Sequence, residues 1–249
     1  MLPRGSRVEC RGTDITDAPA TPRSSPNARD AQRRTGPSAT EQEWQPYVVE
    51  EFAFDDFGAR ATVLDVGCGA GEQLDRLQGR GARGIGVDAD ASHARGCRGR
   101  GRVVVRALAE ALPFCAQSFD GVICKVVLPY TRERAVVHEM ARVLRAGGRA
   151  RCAYIGAGYY LRYLVRSRSW RLQVYGLRTL LNTWLFAVTG RQAAGRFGDT
   201  VYQSRRRLTR YYAETGLTCL EDRSAPRFLG FPVFIYHTLV RGARPEPLC

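Results

Sequence analysis

Between residues 61 and 155 the chain alternates two hydrophobic rhythms. Unbroken apolar runs, the mark of strands buried on both faces, are separated by stretches whose apolar positions recur every three or four residues, as on a helix packed along one side. Ala61–Val66, Ile85–Asp88, Arg102–Arg106, Ser118–Cys124 and Arg149–Ile155 read as five strands. Glu72 to about Gln78 reads as a helix, and so does Arg132–Leu144, with apolar residues at 136, 137, 140, 143 and 144 and a stop at Ala146-Gly147-Gly148. Upstream, Trp44, Tyr47, Val48 and Phe52 have helical spacing; downstream, Arg205–Thr215 is a helix capped by Gly216, followed by strands at Leu217–Glu221 and Phe231–Val240. Strands and helices in this order predict an α/β architecture. The rhythm breaks in two places. Residues 1–40 are rich in Pro, Ser, Thr, Arg and Gly without a periodic face and are expected to be disordered. Residues 156–200 hold two arginine-studded helical stretches, Tyr159–Arg166 and Leu172–Val188, outside the strand-helix alternation. The expected organisation is therefore a tail (1–40) and one domain (41–249), with a helical insert at about 156–200.

The candidate chemistry sits where the first strand meets the first helix. Val63-Leu64-Asp65-Val66-Gly67-Cys68-Gly69-Ala70-Gly71-Glu72 places three glycines at alternating positions in a strand-to-helix turn. Glycine there tolerates positive φ and, lacking a Cβ, lets a ligand lie against the backbone. A dinucleotide site spaces its glycines G-x-G-x-x-G to seat a pyrophosphate on the helix N-terminus. Here Glu72 stands where the third glycine belongs, and Asp65 adds a second negative charge. Two carboxylates repel phosphates and favour a nucleoside with a cationic tail. Asp88 ends the second strand 21 positions after Gly67, near the ~20-residue spacing at which such a unit presents a carboxylate to ribose hydroxyls.

These residues resemble the first motifs of the class I S-adenosylmethionine (SAM)-dependent methyltransferases, in the branch usually called methyltransferase type 11. Further motifs follow in order: Ala107-Leu108-Ala109-Glu110-Ala111-Leu112-Pro113-Phe114 is similar to G-D-A-E-x-L-P-F, Ser118-Phe119-Asp120-Gly121-Val122 to S-F-D-x-V, and Arg142–Gly148 to R-V-L-K-P-G-G. The resemblance implies a Rossmann-like, doubly wound seven-stranded sheet with an antiparallel last strand and a helical lid insert. It implies SAM as cofactor. Asp65, Gly67, Cys68, Gly69 and Gly71 would hold the methionyl end, Asp88 and Ala89 the ribose, and Leu108 and Ala109 the adenine. Leu108 replaces the family's Asp, so the adenine amine needs another acceptor. Lys125 to Tyr130, just past the fourth strand, should border the transferable methyl by the switch-point rule, with Lys125 counted at the cofactor edge. No N-P-P-Y occurs there, which argues against methylation of nucleobase amines. No general base stands out; Tyr130, Asp199 and Tyr202 are the candidates nearest the expected mouth, while Glu110 and the histidines His138 and His237 read as structural or exposed.

Charge and cysteine content narrow the partners. The formal net charge is +14, and Lys125 is the only lysine. Residues 156–210 hold eleven arginines against Asp199 alone, so most of the excess belongs to the insert. An aromatic, basic insert over the acceptor site suits a small or lipid-like acceptor, or peripheral contact with an anionic membrane. The alternatives are an RNA methyltransferase using the arginines on phosphates, disfavoured because no separate RNA-binding domain is present, and a SAM-binding protein without transferase activity. Eight cysteines are scattered singly with no C-x-x-C pair, which points to no metal site and to thiols in a reducing cytosol. No run of about 18 apolar residues suggests a membrane span, and the N-terminus has no apolar signal-peptide core.

Overall fold

The computed structural model describes residues 52–190 and 200–242. The expectations placed on residues 1–40, Trp44, Tyr47, Asp199 and the tail at 245–249 lie outside the described residues. The chain runs β1 (Thr62–Val66), α1 (Glu72–Gly79), β2 (Arg83–Asp88), α2 (Ala91–Gly99), β3 (Val104–Arg106), β4 (Phe119–Lys125), a 3-10 turn (Leu128–Tyr130), α3 (Glu133–Val143) and β5 (Leu144–Ile155). After these come α4 (Ala157–Arg166), α5 (Trp170–Thr189), α6 (Arg205–Thr215), β6 (Leu217–Ser224), the short strands β7 (Arg227–Phe228) and β8 (Phe231–Pro232), and β9 (Phe234–Arg241).

Seven strands form one sheet in the order β3-β2-β1-β4-β5-β9-β6. The first five pair in parallel, and β9 inserts antiparallel between β5 and β6. This is the Rossmann-like α/β sheet expected from the sequence, with differences of detail: β5 begins at Leu144, so Ala146-Gly147-Gly148, expected to stop the helix, lie within the strand. The region Phe231–Val240, expected as a single strand, divides into β8, which pairs with β7 in a hairpin, and β9 from Phe234.

The continuous apolar character of β1 follows from burial on both faces. Leu64 and Val66 point into a core with Val136, Val137, Met140 and Leu208, whereas Val63 points into a second core with Phe52, Leu77, Ile123 and Tyr236. The order reversal lies between β1 and β4, which carry their C-terminal ends to the same edge, Val66 opposite Cys124. That places the glycine turn and the segment from Lys125 on either side of one crevice.

Two clamps hold the connections around it. Arg142 on α3 bonds Glu139 (2.7 Å) and the carbonyls of Leu112 (2.9 Å) and Phe114 (2.7 Å), while Glu139 accepts from the Leu112 N–H (2.7 Å). The loop between β3 and β4 is thus pinned to α3. Glu133 at the start of α3 is buried and ion-paired to Arg207 of α6, with the Tyr211 hydroxyl donating to the same carboxylate at 3.1 Å. Arg207 also donates to the Tyr202 carbonyl, so one guanidinium ties α3, α6 and the segment at 200–204 together.

Candidate active site

The glycine turn is built from β1 outward. The N–H groups of Gly67 (2.7 Å) and Cys68 (3.0 Å) both donate to the Val87 carbonyl, which folds the chain across the end of β2. Gly67, Gly69 and Gly71 have φ of 70°, 51° and 84°, all in the left-handed region where a side chain is strained. Two of them differ in what lies beyond. A Cβ on Gly67 would sit 2.4 Å from Cγ2 of Val127, whereas one on Gly69 meets nothing within 4 Å. Gly67 is therefore a packing glycine, and the face over Gly69 is open. Cys68 turns its side chain away from that opening, into a cluster with Leu74, Ala94, Cys97 and Val104, so only its backbone can meet a ligand. Burial and the neighbouring carboxylates push its thiol well above the ordinary range.

Asp88 is committed to the turn. One carboxylate oxygen accepts from the Gly69 N–H and the other from the Asp90 N–H, both at 2.8 Å, and His93 Nδ1 lies 3.4 Å away. A carboxylate retains further lone-pair positions after two such bonds, so Asp88 shapes the loop and still presents acceptors to its outer side. Asp90 caps α2 through the Ser92 N–H. Ala89 is exposed beside it.

Asp65 is 2% exposed at the end of β1. Among the described residues it makes no ion pair. Burial pushes its carboxyl from 3.8 up to about 7, opposed by the Lys125 ammonium and aided by Asp88 and Glu72. Such a group favours any arrangement that brings a cation or hydrogen-bond donors to it.

Across the crevice, Lys125 ends β4 with its ammonium 5.7 Å from the Phe54 ring centroid. Val126 follows at φ 59°, a β-branched residue held in the left-handed region, with its N–H donating to the Ala153 carbonyl at 2.9 Å. This kink sends Val127 against Gly67 and leads into the turn that carries Tyr130. Sequence patterning offered no sign of it, because nothing in an apolar tripeptide marks a positive φ. Leu108 is half-buried and Ala109 buried just past β3, whose following residue, Ala107, donates to the Asp88 carbonyl at 3.2 Å. The loop is tied directly to the end of β2.

Tyr130 meets the insert. It interacts with Tyr159 on α4 and is hydrogen-bonded to Tyr175 on α5; burial, then those phenols, push its hydroxyl well above the usual tyrosine range. Tyr159 and Tyr163 share a hydrogen bond of 2.9 Å, and Tyr160, Tyr163 and Tyr175 form a buried cluster against Val126, Tyr202 and Phe234. Tyr202 packs there through its ring, and its N–H donates to Thr183 at 3.0 Å. Both tyrosines singled out in the sequence thus belong to one aromatic group between the insert and the end of β4. Glu110 accepts from the Arg132 N–H at 3.1 Å, His138 is exposed beside Glu214, and His237 is buried with Nδ1 2.8 Å from the Tyr212 hydroxyl. Those three lie apart from the crevice groups in their contacts.

Comparison with known proteins points the same way as the fold. Residues 64–152 match the family model described as a methyltransferase domain. Over those residues the chain is similar to a methyltransferase domain, and its sheet has the Rossmann-like fold of such domains. No curated protein matches the chain by sequence. Among solved structures, the protein bound to the Trm112 methyltransferase activator of Haloferax volcanii is 17% identical over 76% of this chain and 86% of that one, with a TM-score of 0.55. A SAM-dependent methyltransferase from Mesorhizobium loti is 16% identical over 74% and 92%, TM-score 0.55. The geranyl diphosphate C-methyltransferase of Streptomyces coelicolor A3(2) is 18% identical over 74% and 73%, TM-score 0.53. At these identities the likeness is one of fold.

Proposed function

We propose that the protein transfers the methyl group of SAM to a small-molecule or lipid-like acceptor. The observation that carries this reading is Asp65, a buried carboxylate whose pKa is pushed up to about 7, beside a glycine turn that is open only over Gly69. The residues present fit the cofactor: Asp65 would offer its charge to an amino group, the Gly67–Gly71 backbone would hold the methionyl end, Asp88 and Ala89 the ribose, and Leu108 and Ala109 the adenine. Bound SAM supplies a methyl on a sulfonium, whose leaving group is already activated. The protein's part is to position the acceptor and exclude water. Tyr130, with its phenol held neutral by burial and bonded to Tyr175, positions the acceptor and does not act as a phenolate base. Tyr159, Tyr163 and Tyr175 supply aromatic walls, and Tyr202 braces them from the segment before α6. Lys125 balances Asp65 at the crevice edge. An aromatic lining supports a compact apolar acceptor with a polar tip, and free thiols at Cys68 and Cys97 suit a reducing compartment such as the cytoplasm.

Thermal unfolding with SAM, S-adenosylhomocysteine or NAD tests the cofactor. A ligand at about 100-fold its dissociation constant adds about 2.7 kcal/mol of stability. The two adenosyl compounds should stabilise and NAD should not. Asp88→Ala lowers apo stability through the Gly69 and Asp90 N–H groups, so the quantity to compare is the ligand-induced increment, which should vanish. Equal increments with and without Asp88 would sink the ribose assignment. Turnover on an acceptor panel at two salt concentrations then separates compact acceptors, with little salt dependence, from RNA, whose binding falls steeply.

A further inference from the structure

α5 is turned inside out relative to an ordinary surface helix. Its buried face carries Tyr175, Gly176, Thr179, Asn182 and Thr183. The polar groups there are satisfied locally: Thr179 and Thr183 donate to the carbonyls one turn back at 2.9 and 2.8 Å, and Asn182 donates to the Thr200 carbonyl at 3.1 Å. The outward face carries Trp170, Val174, Leu177, Leu181, Trp184 and Val188, between 48% and 68% exposed. Their spacing alternates four and three residues, so they form one stripe, about 27 Å long at 1.5 Å per residue, with tryptophans near each end. Val165, at 61% exposure on α4, which packs against α5, and Leu229 and Phe231, at 64% and 51% around the β7–β8 hairpin, which packs against α4, add further exposed apolar surface.

The charge around the stripe selects its occupant. From 157 to 189 the chain has Arg162, Arg166, Arg168, Arg171 and Arg178 and no acidic residue. Arg166 lies over the Phe228 ring of the hairpin at 5.3 Å, and Arg171 over Trp170 at 5.8 Å, so cationic groups border the apolar surface directly. A second copy of the chain would bring two such arginine borders together with no carboxylate between them. A phosphate-rich lipid surface meets both features at once: acyl boundary for the stripe, anionic headgroups for the arginines. Among the described residues no helix is long and apolar enough to cross a membrane, so contact is in the plane of the interface.

We propose that α5 docks the protein onto an anionic lipid membrane, lying in the headgroup layer with the stripe from Trp170 to Val188 facing the acyl chains. The inference is independent of the chemistry assigned to the glycine turn, and its test reads binding alone. The full chain is sedimented with vesicles of phosphatidylcholine, and with vesicles of an equal mixture of phosphatidylcholine and phosphatidylglycerol. Wild type should pellet with the mixed vesicles, at least about tenfold more strongly than with phosphatidylcholine, and less so as salt rises. Tryptophan emission should shift to the blue on binding. Leu181→Glu, at a site 58% exposed, should lower partitioning about tenfold or more while leaving the unfolding temperature unchanged. Arg168→Glu with Arg171→Glu, which leaves the stripe intact, should lower binding to the mixed vesicles by about fivefold per arginine and leave phosphatidylcholine binding unaltered. Failure of wild type to pellet with the mixed vesicles would overturn the proposal. So would a dimer in sedimentation velocity that Leu181→Glu dissolves without any vesicle binding, which would assign the stripe to a second copy.

Discussion

Gly67 and Gly69 share a loop, a residue type and a positive φ, and differ only in what a Cβ would meet. This makes them a controlled pair. Alanine at either position carries the left-handed penalty of roughly 1–2 kcal/mol. At Gly67 the new Cβ also falls 2.4 Å from Val127 Cγ2, well inside contact distance. Val127 follows a residue already held at φ 59° and precedes the Tyr130 turn, so it has little room to retreat. Overpacking of that kind adds roughly 1–3 kcal/mol, and Gly67→Ala should therefore cost about 2–5 kcal/mol. Gly69→Ala, with open space around its Cβ, should cost only the backbone part. Urea unfolding of the two variants checks the difference. The double variant Gly67→Ala/Val127→Ala should recover about 1 kcal/mol or more relative to the sum of its single variants, because the methyl group responsible for the clash is gone. Ligand binding should show the opposite ranking of cause: Gly69→Ala keeps most of its stability but places a methyl group in the opening proposed for the cofactor, so its SAM-induced increment in unfolding temperature should be lost. If Gly69→Ala destabilises as much as Gly67→Ala, or the cycle is additive within about 0.5 kcal/mol, the packing account of the turn is wrong.

Three further outcomes follow from buried groups. Asp65 has a folded pKa of about 7 against 3.8 ordinarily, so the native state holds its proton more tightly than the unfolded chain. Its contribution to stability is greatest below about pH 4 and is lost as pH rises towards 7, by up to about 4 kcal/mol without cofactor. Asp65→Asn should therefore raise the unfolding temperature at pH 8 relative to wild type and lose that advantage near pH 4; a difference that stays flat across the range would contradict the shift. Glu133→Ala strands the buried Arg207 guanidinium and should cost roughly 3–5 kcal/mol in urea unfolding, and a loss under 1 kcal/mol would show that the pair does not tie α3 to α6. Gly176→Ala puts a Cβ 2.7 Å from the Tyr160 carbonyl oxygen and forces α5 away from α4. It should lower stability by about 1–3 kcal/mol in thermal unfolding, whereas Leu177→Ala next to it, on the exposed face, should stay within about 0.5 kcal/mol.

The sequence by itself determined the succession of strands and helices from 61 to 155, the glycine turn and the resemblance to a methyltransferase domain, because those features are local. A strand buried on both sides must be apolar throughout, as β1 is, and a turn with three left-handed residues must be glycine-rich. Other features needed the tertiary structure. Asp88 was placed at the end of β2 by spacing, yet its bonds to Gly69 and Asp90 depend on where β1 and β2 end relative to each other. Arg142 stood in a recognisable motif, but its hold on Leu112 and Phe114 spans 28 to 30 positions. Glu133 and Arg207 are 74 residues apart and carry no local signal of pairing. Val126 is kinked because Lys125 is paired with β5, the Val126 N–H bonds the Ala153 carbonyl and Val127 packs against Gly67, not because valine favours that geometry. The sharpest divergence is α5. Periodicity establishes that Trp170, Val174, Leu177, Leu181, Trp184 and Val188 share a face, but it does not establish on which side the protein lies. Packing against α4 through Tyr175 and Gly176 decided that, and it turned the apolar face outward.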